Sequence, residues 1–391
     1  MRTFRNALFS AIVLCLASAV PVPVSFGAYL ESDGEVPVRP PERRRPVRII
    51  PPTPEPENPL LSVVRRVDVG IPTSYRRMSI YPLLARFRPG SSGIRTLDEA
   101  FRSGWITIRE RSRAEVSTLR VRNDSRHYVF LMAGEIIAGG KQNRIVKSDV
   151  LLGPRSGFVT VPVYCGERDR WTATEGKFES EKGLADGALR RKAAKAEPQG
   201  EIWKEIDARM SETRVNSQTR DYRQIYSDRK IDREVAGCVS HYRRFCGSRT
   251  VGAVVVVDHR IVSCDLFSDP DLASALWDKL SRSYSLDLLR HPHYEDERRR
   301  RPSPGKREIR AFLDRVLRAR FRDEKTPGEG WSMRISGAVE GAVLNWRSEV
   351  VHSAIFPVTY YVPERIKGGE REPAPYFEDR SPKHEDGKIW R

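Results

Sequence analysis

The chain has 391 residues, with 69 Lys and Arg against 52 Asp and Glu, a formal net charge of +17 and 39% hydrophobic residues. That is enough apolar material for one large or two moderate folded units, and too much for a wholly disordered polymer. Histidine is scarce, no CxxC occurs and no His pair stands at metal-ligand spacing, so the residues call for no metal and no cofactor. The positive balance suits nucleic acid, anionic lipid or an acidic small molecule. Much of it, however, lies in Arg43-Arg44-Arg45 and in Arg298 to Arg301, beside acidic residues, and no helix-turn-helix or aromatic-interleaved basic motif appears. Composition alone therefore gives little support for nucleic acid.

In chain order, Arg2 and Arg5 precede an apolar run from Ala7 to Val20, and small residues follow at Ala17-Ser18-Ala19 and Ser25-Phe26-Gly27-Ala28. This is the layout of a secretory signal peptide, and the run is shorter than the roughly 20 residues of a membrane span. The expectation is export to the periplasm, the cell envelope or the medium, with no transmembrane helix in the mature chain. Proline at 37, 40, 41, 51, 52, 54, 56 and 59 predicts an extended linker. Thr96 with Glu99 reads as a capping box opening a short helix to Arg102. Strands are expected at 105–110, 117–121, 128–132, 148–152 and 158–163, and residues 176–200 read as a mobile basic excursion.

Beyond residue 200 the apolar period changes. Ile202, Trp203, Ile206 and Met210 recur at helical spacing, and a second helix is expected from about Arg229 to Arg244. Two apolar strands, 251–257 and 260–267, flank a tight Asp258-His259 turn. Pro270-Asp271 opens one helix with the stripe Leu272, Ala275, Leu276, Leu280 and Tyr284, and another is expected near 308–320. Strands at 331–335, 342–346 and 350–356 precede a charged tail. The fold class is α+β: a β-rich N-terminal half and a helix-plus-sheet C-terminal half, forming one large domain or two closely packed subdomains.

The densest chemistry lies in Glu135-Ile136-Ile137-Ala138-Gly139-Gly140-Lys141-Gln142-Asn143-Arg144. Paired glycines permit φ > 0, and successive N–H groups in such a turn can form an anion-binding concavity. Gly139, Gly140, Lys141, Gln142, Asn143, Arg144 and, from further along, Arg170 are the candidate ligand contacts, with Glu135 the candidate general base. The competing reading is a Gly-Gly turn between two strands, with solvated charges. Cys165, flanked by Glu167, Arg168 and Arg170, is a candidate nucleophile with no histidine tied to it by a local motif. Cys165, Cys238, Cys246 and Cys264 either stay reduced or pair, and the short span between Cys238 and Cys246 makes them the preferred disulfide.

Tyr81-Pro82-Leu83-Leu84, Thr96 to Ala100, Ala133-Gly134-Glu135, Gly139 to Arg144 and Val161 to Cys165 with Arg170-Trp171 resemble the ARPP family. That family is the domain associated with ADP-ribosylglycohydrolases and rhodanese-phosphatases. Asp265-Leu266-Phe267, Leu276-Trp277, Lys279-Leu280 and Ser283-Tyr284 resemble its later half. His259 stands where the family pattern has glycine, and the basic insert near 291–307 is unlike it. The resemblance implies a link to ADP-ribose or related phosphorylated metabolites, and carries over no established reaction. The resulting map is a signal peptide over 1–28, a proline-rich disordered linker over 29–74, a folded part over 75–357 and a disordered charged tail over 358–391. Within the folded part, a β-rich section runs to about 175, the mobile segment spans about 176–200, and helix and sheet occupy about 201–357. The functional expectation is recognition, with or without processing, of a small anionic ligand; the alternative is a non-catalytic envelope interaction module.

Overall fold

A central strand that is apolar on both faces organises the molecule. In the computed structural model, which describes residues 58–87, 89–90, 92–110, 117–170, 178–289 and 302–358, every residue of Thr250–Val257 is buried. Val251, Val254 and Val256 enter one core, while Ala253, Val255 and Val257 enter another on the opposite face. Period-two side-chain alternation places such a run between two packed layers. All described residues belong to one contact-dense unit, Pro54–Arg391. The expected signal peptide, the proline-rich stretch up to residue 57, residues 290–301 of the polar break and the tail after Val358 lie outside the described residues.

The chain begins with α1 (Pro59–Arg65), β1 (Val67–Val69), β2 (Thr73–Tyr75), β3 (Met78–Ala85), β4 (Arg95–Thr96), α2 (Leu97–Arg102), β5 (Ile106–Glu110) and β6 (Thr118–Asn123). It continues through β7 (Val129–Leu131), β8 (Glu135–Ala138), β9 (Arg144–Val146), β10 (Val150–Leu152), β11 (Val159–Cys165) and β12 (Glu179–Leu184). Four helices follow: α3 (Gly187–Ala194), α4 (Gln199–Thr213), α5 (Gln224–Ser227) and α6 (Arg229–Tyr242). The second half adds β13 (Thr250–Val257), β14 (Arg260–Leu266), α7 (Pro270–Ala275), α8 (Trp277–Leu288) and α9 (Lys306–Val316). It closes with β15 (Arg320–Glu324), β16 (Trp331–Ser336), β17 (Val339–Trp346) and β18 (Glu349–Pro357).

An antiparallel sheet runs β1-β3-β13-β14-β18-β17-β16-β15, with β2 also paired to β3. Helices α1 and α9 cover one face through Leu60, Val64, Ile309 and Phe312; α6, α7 and α8 pack on the other through Tyr242, Leu272 and Tyr284. A six-stranded sheet, β12-β8-β9-β11-β6-β5, and a three-stranded sheet, β10-β7-β4, share the core of Leu119, Val121, Val129, Ile137, Val150 and Val161. The architecture is α+β, as the patterning indicates.

Several expectations shift. Residues 59–74, read as linker, form α1, β1 and β2: Pro59 occupies the first helical turn, where a missing N–H costs nothing, and Asn58 caps it. Residues 176–200 are not a loose excursion where described. They carry β12 and α3, because Asp186 caps α3 and the Arg190 charge finds a buried partner at Asp265. The helix opened by Pro270 breaks at Leu276 into α7 and α8. Strand β15 has no apolar alternation, only a pairing with β16 to define it. The capping box at Thr96 and Glu99 forms, and Asp258 and His259 turn the β13–β14 hairpin with φ of 48° and 62°. Positive φ at His259 is the reason a glycine would suit that position.

Candidate functional site

Strands β8 and β9 form a hairpin joined by residues 139–143. Gly139 and Gly140 adopt φ of 117° and 60°, and the turn points its donors inward. Gly139 N–H donates to Asn143 Oδ1 (3.0 Å), and Lys141 N–H donates to Glu110 Oε1 (3.1 Å). Arg144 is buried rather than solvated: its Nη2 lies 3.3 Å from the same Glu110 oxygen, and its Nη1 donates to Gln142 Oε1 (2.8 Å) and Cys165 Sγ (3.1 Å). A Cβ on residue 140 would stand 2.8 Å from Glu110 Oε1 and 2.7 Å from Phe178 Cζ, so glycine is required by this approach. One backbone donor of the turn, Lys141 N–H, meets an anion, and that anion is the chain's own Glu110.

A second carboxylate backs the turn. Glu167 accepts from Asn143 N–H (3.3 Å), Arg170 Nε (2.8 Å) and Thr219 Oγ1 (2.8 Å). Burial works to raise its pKa, but these bonds outweigh it and hold the carboxyl below the usual range. Arg170 also donates to Gly140 O (2.9 Å), and Asn143 Nδ2 to Asp221 Oδ2 (2.9 Å). Residues 139–144, Cys165 and Arg170 lie together in the fold, joined to internal acids that the spacing did not reveal.

Glu135 is elsewhere in the bonding scheme. Fully buried, it accepts from Lys279 Nζ (2.5 Å) and Met132 N–H (2.8 Å). Lys279 also lies 2.7 Å from Asp98 and donates to Ser180 Oγ (2.9 Å), which donates to Asp98 Oδ1 (2.6 Å). Burial pulls the ammonium down, but the two carboxylates outweigh it and hold Lys279 above its ordinary value. Two carboxylates and the Ser180 hydroxyl enclose the ammonium, so the group ties α8 to α2, β8 and β12. Burial pushes the Glu135 carboxyl upward, with Lys279 pulling against it.

The Ala133-Gly134-Glu135 turn borders a larger ion network. Ala133 N–H donates to Asp149 Oδ1 (2.8 Å), and a Cβ on Gly134 (φ 95°) would stand 2.9 Å from Arg190 Cγ. Asp149 Oδ2 lies 2.7 Å from His352 Nδ1, and His352 Nε2 lies 3.0 Å from Asp265 Oδ1. Asp265 in turn pairs with Arg190 and accepts from Tyr284 Oη (2.6 Å). Burial opposes the charged imidazolium, yet the flanking carboxylates hold His352 up at about 9. Burial likewise opposes the Asp265 carboxylate, and Arg190 and His352 hold it well below the usual range. Two acids and two cations cancel within this cluster. The cavity that Asp265 and Tyr284 help to line is about 10 Å³, near the lower bound for a single water.

All four described cysteines are free thiols, so the preferred Cys238–Cys246 bridge is not formed. Cys238 is held in the core by α6, while Cys246 follows the helix end and packs on that core beside Phe245, which stacks on Trp277. Burial raises the Cys165 thiol despite Arg144, and raises Cys246 to about 12, the opposite of an activated nucleophile. Among the described residues no cluster of three or more His, Cys, Asp or Glu is placed to hold a metal ion.

One open hollow has a different character. Arg65 at the end of α1, Arg86 beyond β3, and Lys306 and Arg310 of α9 line a volume of about 490 Å³ together with Val67, Asp68 and Val69. Arg310 is fixed by Val64 O (3.1 Å), Val67 O (3.3 Å) and Asp314 (2.9 Å), and Arg86 Nη2 donates to Arg65 O (2.6 Å). None of these residues belongs to a local motif; α1 itself lay in the stretch read as linker.

Among the described residues no helix is long and apolar enough to cross a membrane. Comparison with curated proteins and with solved structures gives no match. The family model of the ARG and Rhodanese-Phosphatase-superfamily-associated Protein domain matches residues 66–356, from the residue after α1 to the penultimate residue of β18. With its Gly-Gly-Lys turn, its Ala-Gly-Glu turn and the Asp265, Lys279 and Tyr284 positions all built into one fold, the chain belongs to the ARPP-1 family.

Proposed function

We propose that this is an exported recognition module for a small phosphorylated ligand, and that the ligand sits in the basic hollow of Arg65, Arg86, Lys306 and Arg310. The observation that carries the reading is the convergence of four cations from three separate segments on one open volume, with Asp68 the one carboxylate among its lining residues. The expected general base and two of the expected ligand-binding cations are spent instead on internal partners: Glu135 on Lys279, Arg144 on Glu110, Arg170 on Glu167. A ligand bearing two or more phosphates, such as an ADP-ribose-related metabolite, matches that cation count, and the family's gene association points the same way. Export rests on the basic and apolar pattern from Arg2 to Val20.

A second reading places a surface polymer, not a small molecule, on the same hollow, making the chain an envelope interaction module. It is favoured by the openness of the hollow's cations, since Arg65, Arg86 and Lys306 are exposed. Calorimetric titration of inorganic phosphate, ADP-ribose and an uncharged sugar separates the readings. Phosphate and ADP-ribose should bind wild type, and Arg65→Ala/Lys306→Ala should lose at least about tenfold in affinity, each charge-assisted bond contributing about 1.5–3 kcal/mol. If neither anion binds wild type at millimolar concentration, the small-ligand reading fails and the polymer reading leads.

A further inference from the structure

The solvent face of the β5–β6–β11 sheet carries an arrangement that costs stability without an evident internal purpose. In β6 the alternation sends Leu119 and Val121 into the core and Arg120 and Arg122 outward. Arg109 on the edge strand β5 stands directly opposite Arg120, and Arg120 also faces Thr160 on β11. Like charges directly opposite on an antiparallel pair repel. Arg122 is neutralised by Asp124 at 2.7 Å, but neither Arg109 nor Arg120 has a carboxylate partner among the described residues.

Phe158 lies at the centre of this array. The three guanidinium carbons of Arg109, Arg120 and Arg122 sit 5.0, 5.0 and 5.1 Å from its ring centroid. Cation–π attraction to one ring holds three mutually repelling cations in fixed places. The result is an aromatic-interleaved basic patch assembled from two strands and the residue before a third, which no linear motif could display.

We propose that this face docks single-stranded nucleic acid. A phosphodiester chain supplies the missing counter-charge in a repeating form that a row of guanidiniums can meet, and Arg contacts phosphate oxygens bidentately. Planar guanidiniums braced on a ring also present stacking surfaces for bases, which are available only when unpaired. A lipid surface fits less well. Binding to a bilayer interface needs apolar side chains that penetrate it, and among the described residues the exposed large hydrophobic ones are Ile71, Trp331 and Val358, none on these strands. The site is distinct from the basic hollow, so the two stand or fall separately.

The test is fluorescence anisotropy of a labelled oligothymidylate with the full chain across a salt series. Wild type should bind at low salt, and Arg109→Ala/Arg120→Ala should weaken binding at least about tenfold. The slope of log K against log salt should shrink by about 1.4, the loss of two single-strand phosphate contacts. Phe158→Leu should weaken binding with the slope nearly kept, because the charges remain and only their bracing is lost. Melting curves verify folding; the double variant should melt no lower than wild type, since it relieves repulsion. The proposal is overturned if wild type does not bind, or if Arg109→Ala/Arg120→Ala binds with wild-type affinity and slope. It is also overturned if polyglutamate binds as tightly as the oligonucleotide, or if phosphatidylglycerol vesicles bind where the oligonucleotide does not.

Discussion

His352→Gln is the perturbation that reads the interior of this fold most directly. Both ring nitrogens face carboxylates, Asp149 at 2.7 Å and Asp265 at 3.0 Å, so the fully buried ring donates twice as an imidazolium. Arg190 and Tyr284 reach the same cluster through Asp265, and the rings of Phe130 and Phe267 close the remaining sides. The folded state holds this group at about 9 against an ordinary 6.5. A pKa raised in the folded state contributes stability that is complete below the unfolded value and is lost as pH rises through the folded one. A difference of this size is worth about 3 kcal/mol. Urea unfolding of wild type should therefore show stability declining by about 3 kcal/mol between pH 6.5 and 9. The buried thiols, raised above an ordinary 9.0, add to the loss mainly at higher pH. His352→Gln should cost about 3–5 kcal/mol at the acid end, where it leaves two buried carboxylates short of a cation, and should lack the decline. A wild-type profile flat over that window, or the same slope in the variant, would refute the reasoning.

Glu110→Gln should destabilise the chain by about 2–3 kcal/mol in urea, because Arg144 is buried and loses its counter-charge. Gly140→Val should lower stability by more than about 2 kcal/mol, since φ of 60° and contacts to Glu110 and Phe178 both exclude a branched Cβ. Cys165→Ser should leave ligand affinity within about twofold of wild type, as its thiol is raised by burial and serves as an acceptor for Arg144. In the denatured, unreduced chain both Cys238 and Cys246 should label with a thiol reagent, and mass analysis showing a bridge between them would contradict the free-thiol state.

Local signals in the sequence were reliable where local physics decides the outcome. The Thr96–Glu99 box closes within four residues, the Asp258-His259 turn lies between two apolar strands, and the period of Ile202, Ile206 and Met210 is that of one helix face. The site was legible only in its backbone. Paired glycines announced a turn with positive φ and inward donors, and that is what residues 139–143 form. Which anion the donors meet was not legible, because Glu110 arrives from a strand thirty-one residues earlier than Lys141. The same holds for Arg190, counted as part of a basic, mobile segment but neutralised by Asp265 seventy-five residues on. Proline density likewise pointed to a linker through residue 74, where Pro59 instead starts a helix.

These failures share a cause and bear on how the family's residues should be weighed. A charge in a sequence window is read as solvated unless a partner lies in the same window, so long-range pairing turns apparent surface into core. Residues 133–135, 139–144, 265, 279 and 284 would mark a catalytic site if judged by chemistry alone, yet Glu135, Arg144, Asp265 and Lys279 each meet an opposite charge inside the fold. Breaking any one such pair strands its partner in low dielectric, which costs far more than the pair itself contributes, so such residues resist substitution for reasons of folding. Among the described residues, Arg109 and Arg120 stand without a carboxylate partner, at positions with no motif to announce them. Binding by this chain should accordingly vary with substitutions at those surface cations, while substitutions in the conspicuous turns should be felt first as loss of the folded state.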